Sequence, residues 1–256
     1  MIHPTAIIDP AAELDSDVEV GPWSYVGPGV EIGSGTRIAP HVVIKGPTRI
    51  GRNNRIFQFA SLGDEPQDKK YAGEPTRLEI GDGNTIRECC TINRGTEQGG
   101  GVTRIGDDNW IMAYCHIAHD CLVGNHTIFA NNASIAGHVQ VDDWVILGGF
   151  SAVHQFVAIG AHSFLSMCSV VRQDIPPYII VAGDSASARG INSEGLKRRG
   201  FTSEALRALR EAYRTLYRRN LSLTDALEQL RVQAAGSPEV GVMVEFLERA
   251  SRGIVR

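Results

Sequence analysis

The chain has 256 residues, 43% of them apolar and 21% charged, with a formal net charge of -4 at pH 7. That length suits one large core with a small appendage, and the interspersed signs argue against a nucleic-acid binder, which carries a basic patch on a basic background. No apolar run approaches the roughly 18 residues that span a bilayer, and the N-terminus lacks a basic-then-apolar signal pattern, so a cytoplasmic location without a transmembrane segment is expected.

Aliphatic residues recur at every sixth position from the start: Ile2, Ile8, Leu14, Val20, Val26, Ile32, Ile38, Ile44, Ile50, Ile56 and Leu62. The period resumes at Ile80, Ile86 and Ile92, shifts by one, and runs from Ile105 to Val171. Four places after the aliphatic stands a small or β-branched residue such as Ser24, Thr36, Ala60, Thr127, Ala133 or Ser169. An amphipathic helix would drift out of this phase. Each hexad gives one short strand and one turn, both marker residues point inward, and three hexads close a coil whose backbone pairs with the coils above and below.

The stretches near 63–79 and 94–104 are polar, contain Gly or Pro, and are expected as loops ejected from the coil, where function tends to sit. After Pro176 and Pro177 the hexads stop. From about Asn192 the spacing of Leu206, Leu209, Tyr213 and Leu216 is helical, Ser222 and Asp225 resemble a capping box, and Ser237-Pro238 opens a further helix. The expected organisation is a parallel β-helix over 1–189 and a small α-helical domain over 190–256.

Five cysteines, including the adjacent Cys89 and Cys90, suit reduced thiols better than a disulfide framework. Cys90, Cys115 and Cys121 occupy the small inward slot and are expected as core fillers. His41, His126 and His162 share one turn position, and the three tryptophans are read as structural.

With eighteen residues per coil, sequence arithmetic becomes a map. It stacks His119, Gly137 and Gln155 in one column and Asp120 with His138 beside it, at about 4.8 Å per step, all expected to face outward. A histidine base steadied by a carboxylate, with a glycine amide one coil on, is what acyl transfer to an alcohol requires. A histidine-rich surface also produces such pairs by chance, so spacing alone leaves both readings open. His116 and His119 have no third ligand at a persuasive spacing, and no metal is expected.

The strings His116-Ile-Ala-His119-Asp120, Ala136-Gly137-His138-Val139, Val153-His154-Gln155-Phe156, Tyr71-Ala-Gly-Glu-Pro-Thr76 and Asn192-Ser-Glu-Gly-Leu-Lys-Arg-Arg199 closely resemble the UDP-N-acetylglucosamine 3-O-acyltransferase family, nearly end to end. The resemblance implies a left-handed coil and a homotrimer. It also implies transfer of a 3-hydroxyacyl group from acyl carrier protein to UDP-N-acetylglucosamine, the first step of lipid A synthesis, without a cofactor beyond the phosphopantetheine on the donor. By it His119 is the general base, Asp120 orients it, and the Gly137 amide binds the oxyanion. His116, His138, His154 and Gln155 fall in the substrate cleft, Asp68 and Lys70 on the amino sugar and acyl donor, and Asn192, Glu194, Arg198 and Arg199 on the uridine and phosphate side. Lys197-Arg198-Arg199 also reads as a merely solvated helix end, but the uridine-side match favours ligand contact, with a second role in docking acidic acyl carrier protein.

Two positions depart from the family pattern. Asn93 stands where many members have His, and an amide cannot act as a base at neutral pH. Met167, stacked over Gly149, falls where some members have Gly at the end of the acyl groove. A methionine there would shorten the accepted chain toward ten carbons, since each buried methylene contributes about 0.8 kcal/mol and overpacking is penalised. Packing at a trimer contact is the other reading of Met167.

Three rivals remain at this stage. The later N-acyltransferase of the pathway usually carries an N-terminal uridine-binding domain, and hexads already run at Ile2. An acceptor bearing a 3-amino group fits the same residues. The third is a non-catalytic prism, structural or carbonic-anhydrase-like, of which the latter would want three histidines converging on a metal across a subunit boundary.

Overall fold

Two-residue strands separated by four-residue turns make up most of the chain, as at Ile7–Ile8, Glu13–Leu14 and Glu19–Val20. In the computed structural model, which describes residues 1–256, successive strands fall in turn on three sheets of nine, eight and ten strands, parallel throughout except for the last pair of the ten-stranded one. The sheets are the faces of a left-handed triangular prism with a helical part at its C-terminal end. Partners one coil apart are eighteen positions apart, as in Ile117 with Ile135 and Ile135 with Val153.

The inward aliphatics form one column through the prism: Ile44, Leu62, Ile92, Ile117 and Ile135 are all fully buried. Burying such a side chain contributes on the order of 2 kcal/mol. Cys90, Cys115 and Cys121 are buried among them, as the inward slot requires. At the edge between the eight- and ten-stranded sheets that slot holds three asparagines, Asn54, Asn84 and Asn109, all buried. Each donates to a carbonyl of the next coil, on Gly81, Gly106 and Gly124, at 2.9–3.0 Å. Each also accepts a backbone amide of the next coil, on Asn84, Asn109 and Thr127. The amides thus form a satisfied ladder, and the cost of burying polar groups is offset.

From Trp23 onward most turns place one residue in the left-handed region, and most of these are not glycine: Tyr114, Asp120, His126, Asn132, His138, Trp144 and His162 have φ between 55° and 63°. The cost is about 1 kcal/mol each. A backbone bond to the coil before, such as His138 N–H to the His119 carbonyl at 3.0 Å, helps hold each in place.

The coil tolerates both interruptions. Leu62 pairs with Ile92 and Ile92 with Ile117. The first excursion takes the place of two hexads and preserves phase; the second adds seven residues, which is the one-place shift in the sequence pattern. Strands Ser61–Asp64, Arg77–Ile80 and Val102–Ile105 extend farther than the hexads elsewhere in the prism, and Thr91–Asn93 farther than most. The loops are therefore 65–76 and 94–101, shorter than the sequence expectation, because Arg77 to Ile80 pair along their whole length with Val102 to Ile105.

The coil ends in an antiparallel pair, Ile179–Ala182 with Ser187–Ile191. Four helices follow: α1 (Ser193–Arg198), α2 (Ser203–Tyr217), α3 (Leu223–Ala234) and α4 (Pro238–Arg249). The caps of α3 and α4 are the residues the sequence points to: Ser222 accepts the Asp225 amide at 3.1 Å, and Ser237 accepts that of Val240 at 3.4 Å. One apolar cluster runs from the prism through Leu206, Leu209, Tyr213 and Leu216 of α2 to α4. Asp174, buried at the last coil, accepts the amides of Ala158, Ser251 and Arg252 and so ties the C-terminal segment to the prism.

Candidate active site

The edge between the nine- and eight-stranded sheets carries His119 and Asp120 on one coil, Gly137 and His138 on the next, and Gln155 and Phe156 on the third. His119 Nδ1 lies 2.7 Å from Asp120 Oδ2, so Nδ1–H donates to the carboxylate and Nε2 is left free. The imidazole lies across Gly137: a Cβ added there would stand 2.5 Å from His119 Cε1 and 2.7 Å from Nε2. Only glycine fits under the ring. The Gly137 amide makes no hydrogen bond within the chain, which leaves a donor free beside Nε2.

Asp120 corrects one expectation. It does not face solvent; its side chain is fully covered, because the second ejected loop folds back over it. Thr96 donates its amide to Oδ1 at 2.8 Å and its hydroxyl to Oδ2 at 2.6 Å. Burial opposes the charge on Asp120, but the bonds from His119 and Thr96, with His138 nearby, outweigh it and hold the carboxyl below the ordinary carboxylate range.

His138 sits at right angles to His119, ring centres 5.2 Å apart, and lies flat on Phe156 at 4.3 Å. Its Nε2 is 3.7 Å from Asp120 Oδ2. Burial pushes its pKa below the usual imidazole value, while Asp120, and Asp68 from the first loop, pull the other way. His116 contacts Thr91 Oγ1 at 2.7 Å, and burial, with His119 beside it, lowers its pKa too. The ligand-type atoms of His119, Asp120 and His138 lie within 4.8 Å of one another, but Oδ2 already accepts from both His119 and the Thr96 hydroxyl. The arrangement is a base, a clamp that orients it, and an unspent amide, which together suit proton removal from a hydroxyl and capture of an oxyanion.

Comparison with known proteins agrees with this chemistry. Residues 174–255 match the family described as Udp N-acetylglucosamine O-acyltransferase, Domain 2, and residues 11–46 and 103–137 match the bacterial transferase hexapeptide repeats. The acyl-[acyl-carrier-protein]--UDP-N-acetylglucosamine O-acyltransferase of Thiobacillus denitrificans is 59% identical, over 100% of this chain and 99% of that protein. The chain belongs to the UDP-N-acetylglucosamine O-acyltransferase family. The family enzyme of Stutzerimonas stutzeri is 56% identical over the same shares of both chains. The solved structure from Moraxella catarrhalis superposes with a TM-score of 0.98 at 45% identity, covering 100% of this chain and 99% of that one. That from Francisella novicida gives 0.98 at 41%, covering 100% and 94%.

Within this acyltransferase prism the remaining expected positions fall into groups. His154 and Gln155 are exposed on the same edge as His119, one coil beyond Gly137. Lys70 is exposed on the first loop, its amide bonded to Asp68 Oδ1 at 3.0 Å. Asn93 is buried; its Nδ2 donates to the Glu65 carbonyl at 2.9 Å, so it fastens the first loop.

The structure does not bring the α1 residues to His119 within one chain. Arg199 lies on another edge, over the Trp144 ring at 5.1 Å, with Nη1 3.2 Å from His162 Nδ1. Glu194 pairs with Lys197 at 2.8 Å, and Arg198 is exposed without an ion-pair partner. Asn192 is committed to the fold: it caps α1 through the Gly195 amide at 3.2 Å and donates to the His162 carbonyl at 2.9 Å. Gly149 and Met167 stand on the third edge, where Met167 is 70% exposed and so has its side chain free of its own prism. Thr96 escaped the sequence reading. It sits in an irregular, Gly-rich stretch outside the hexad register, where spacing arithmetic does not apply.

Proposed function

We propose that the protein transfers a (3R)-3-hydroxyacyl group from acyl carrier protein to the 3-hydroxyl of UDP-N-acetylglucosamine, the first step of lipid A biosynthesis. His119 Nε2 takes the proton of the sugar hydroxyl, whose oxygen attacks the thioester carbon. The Gly137 amide donates to the oxygen that becomes negative, and Asp120 stabilises the imidazolium through Nδ1–H. Collapse of the tetrahedral intermediate expels the pantetheine thiolate, which recovers the proton from His119. No step calls for a metal or a bound cofactor.

The observation that carries this reading is the His119 ring lying across Gly137, with Nε2 free and the amide unpaired. Edges rather than a deep pocket are what one prism offers, and the α1 residues stand on a different edge from the base. We infer a homotrimer in which edges of neighbouring prisms face each other across a cleft. In it Asp68, Lys70, His116, His138, His154 and Gln155 would line the sugar and thioester side, and Arg198 and Arg199 the phosphates, which guanidinium binds bidentately. Asn192 and Glu194 would flank the uridine, and Met167 beside Gly149 would stop the acyl chain near ten carbons. No helix is long and apolar enough to cross a membrane, in keeping with a cytoplasmic enzyme.

An acyl-transfer assay with UDP-N-acetylglucosamine and donors of ten and fourteen carbons tests both points. His119→Ala should lower kcat by about a thousandfold, and the ten-carbon donor should turn over faster. Equal rates for the variant and the parent would overturn the assigned chemistry. Equal or better turnover of the longer donor would overturn only the role of Met167.

A further inference from the structure

Both oxygens of the Asp120 carboxylate are gripped by one residue of the second ejected loop. Thr96 N–H donates to Oδ1 at 2.8 Å, and Thr96 Oγ1–H donates to Oδ2 at 2.6 Å, the same oxygen that accepts His119 Nδ1–H. The hydroxyl has little freedom to turn away, because its oxygen accepts the Gly99 amide at 3.2 Å and so directs its proton to the carboxylate. Gly99 in turn lies so close that a Cβ would collide with the Asp120 carboxyl group. At the other end of the loop Thr103 Oγ1 accepts the Asp120 amide at 2.8 Å. Thr96 and Thr103 are both buried.

We infer that the second ejected loop is a clamp on the general base, and that Thr96 is a positioning residue which acts on His119 through Asp120. The inference rests on the acyl-transfer reading of this site. A carboxylate can stabilise an imidazolium from many angles, but only one keeps Nε2 over Gly137 rather than turned toward solvent. Fixing both oxygens selects that angle before substrate arrives, and the ordering cost is met by folding of the loop and not by binding. The Thr96 hydroxyl also shares Oδ2 with His119, so it draws charge from the oxygen that stabilises the imidazolium. Such a donor tunes how firmly the proton is held after it leaves the sugar and how readily it is given to the departing thiolate.

Thr96→Val keeps the backbone amide and the side-chain volume and removes only the hydroxyl. In steady-state assays it should lower kcat about tenfold, while KM for both substrates stays within about twofold. The acid limb of kcat/KM should move to higher pH, because Oδ2, freed of one donor, favours protonated His119 more strongly. His138, Asp68 and His116 are the other titratable groups around the pair, and none is altered by the substitution. Thr96→Ser restores the donor and should restore both kcat and the limb. An unchanged kcat in Thr96→Val, or a loss that leaves the limb where it was and that serine fails to rescue, would overturn the clamp. His119→Ala in the same assay separates the two levels. If it stays active, the acyl-transfer reading fails first. If it is inactive while Thr96→Val matches the parent, only the clamp is lost.

Discussion

Two edges of the prism solve the same backbone problem in opposite ways. In the turns around the site and along the neighbouring edge, the second residue after the inward aliphatic has an amide that no backbone carbonyl accepts. Between the eight- and ten-stranded sheets that amide is taken by a side chain of the next coil. Arg52 donates to Asp82 at 2.6 Å, Asp82 to Asp107, Asp107 to Asn125 and Asn125 to Asp143, each at 2.7 Å. Between the nine- and eight-stranded sheets no side chain reaches the Gly137 amide, and His119 lies across it instead. The first edge spends its donors on holding coils together, whereas the second keeps one for a reaction. A stacked repeat provides the same polar group many times, and the residue on the next coil decides whether it serves the fold or the substrate.

The strongest way to break this contrast is to fill the space under the imidazole. Gly137→Ala puts a methyl against His119 Cε1, which must tilt the ring away from the amide; kcat should fall about a hundredfold with a small change in melting temperature. Retention of full activity, measured in the acyl-transfer assay, would mean that the amide is not used.

A second comparison sets histidine against histidine. His162, on the edge that holds coils together, has its pKa pushed down to about 4 by burial first and by Arg199 second. The unfolded chain, near 6.5, binds the proton more readily, so this residue makes the fold more stable as pH rises from about 4 to 6.5 and less stable as it falls. His162→Phe should therefore lose less stability between pH 7 and pH 5 than the parent, by about 1 kcal/mol after allowance for solvent screening of a partly exposed ring. Thermal melts at both pH values would show it. His116 and His138, shifted the same way, keep their share in both proteins. Identical pH dependence would argue against this assignment.

The smallest effect belongs to Asp107→Ala. It frees the Asp82 amide at a solvent-exposed turn and should cost about 0.5 kcal/mol, with kcat unchanged. A loss of activity there comparable to that of Gly137→Ala would erase the distinction between the edges.

The six-residue period made the coil legible because inward positions must be apolar in every coil, and the eighteen-residue step then placed His119 over Gly137 without further information. The step also carries the Asn54, Asn84 and Asn109 ladder, but at that slot the pattern suggests a small or β-branched residue. An asparagine becomes acceptable only once coil-to-coil bonding satisfies its amide. Burial of Asp120 was hidden for a different reason. It depends on a loop of irregular backbone whose path the repeat does not specify, and Thr96 was invisible with it. The distance from α1 to the base was likewise out of reach, since a motif near position 195 says nothing about which edge its helix will lie against.

The two excursions differ in length, and only one is a multiple of the repeat, yet Leu62, Ile92 and Ile117 still stand one above another. A prism of this kind behaves like a bound stack of pages into which an extra leaf can be slipped at any corner, because each layer is located by its neighbours and not by its position along the chain. New segments can be spliced in without disturbing the interior, and here one such segment has come to rest on the carboxylate behind the base.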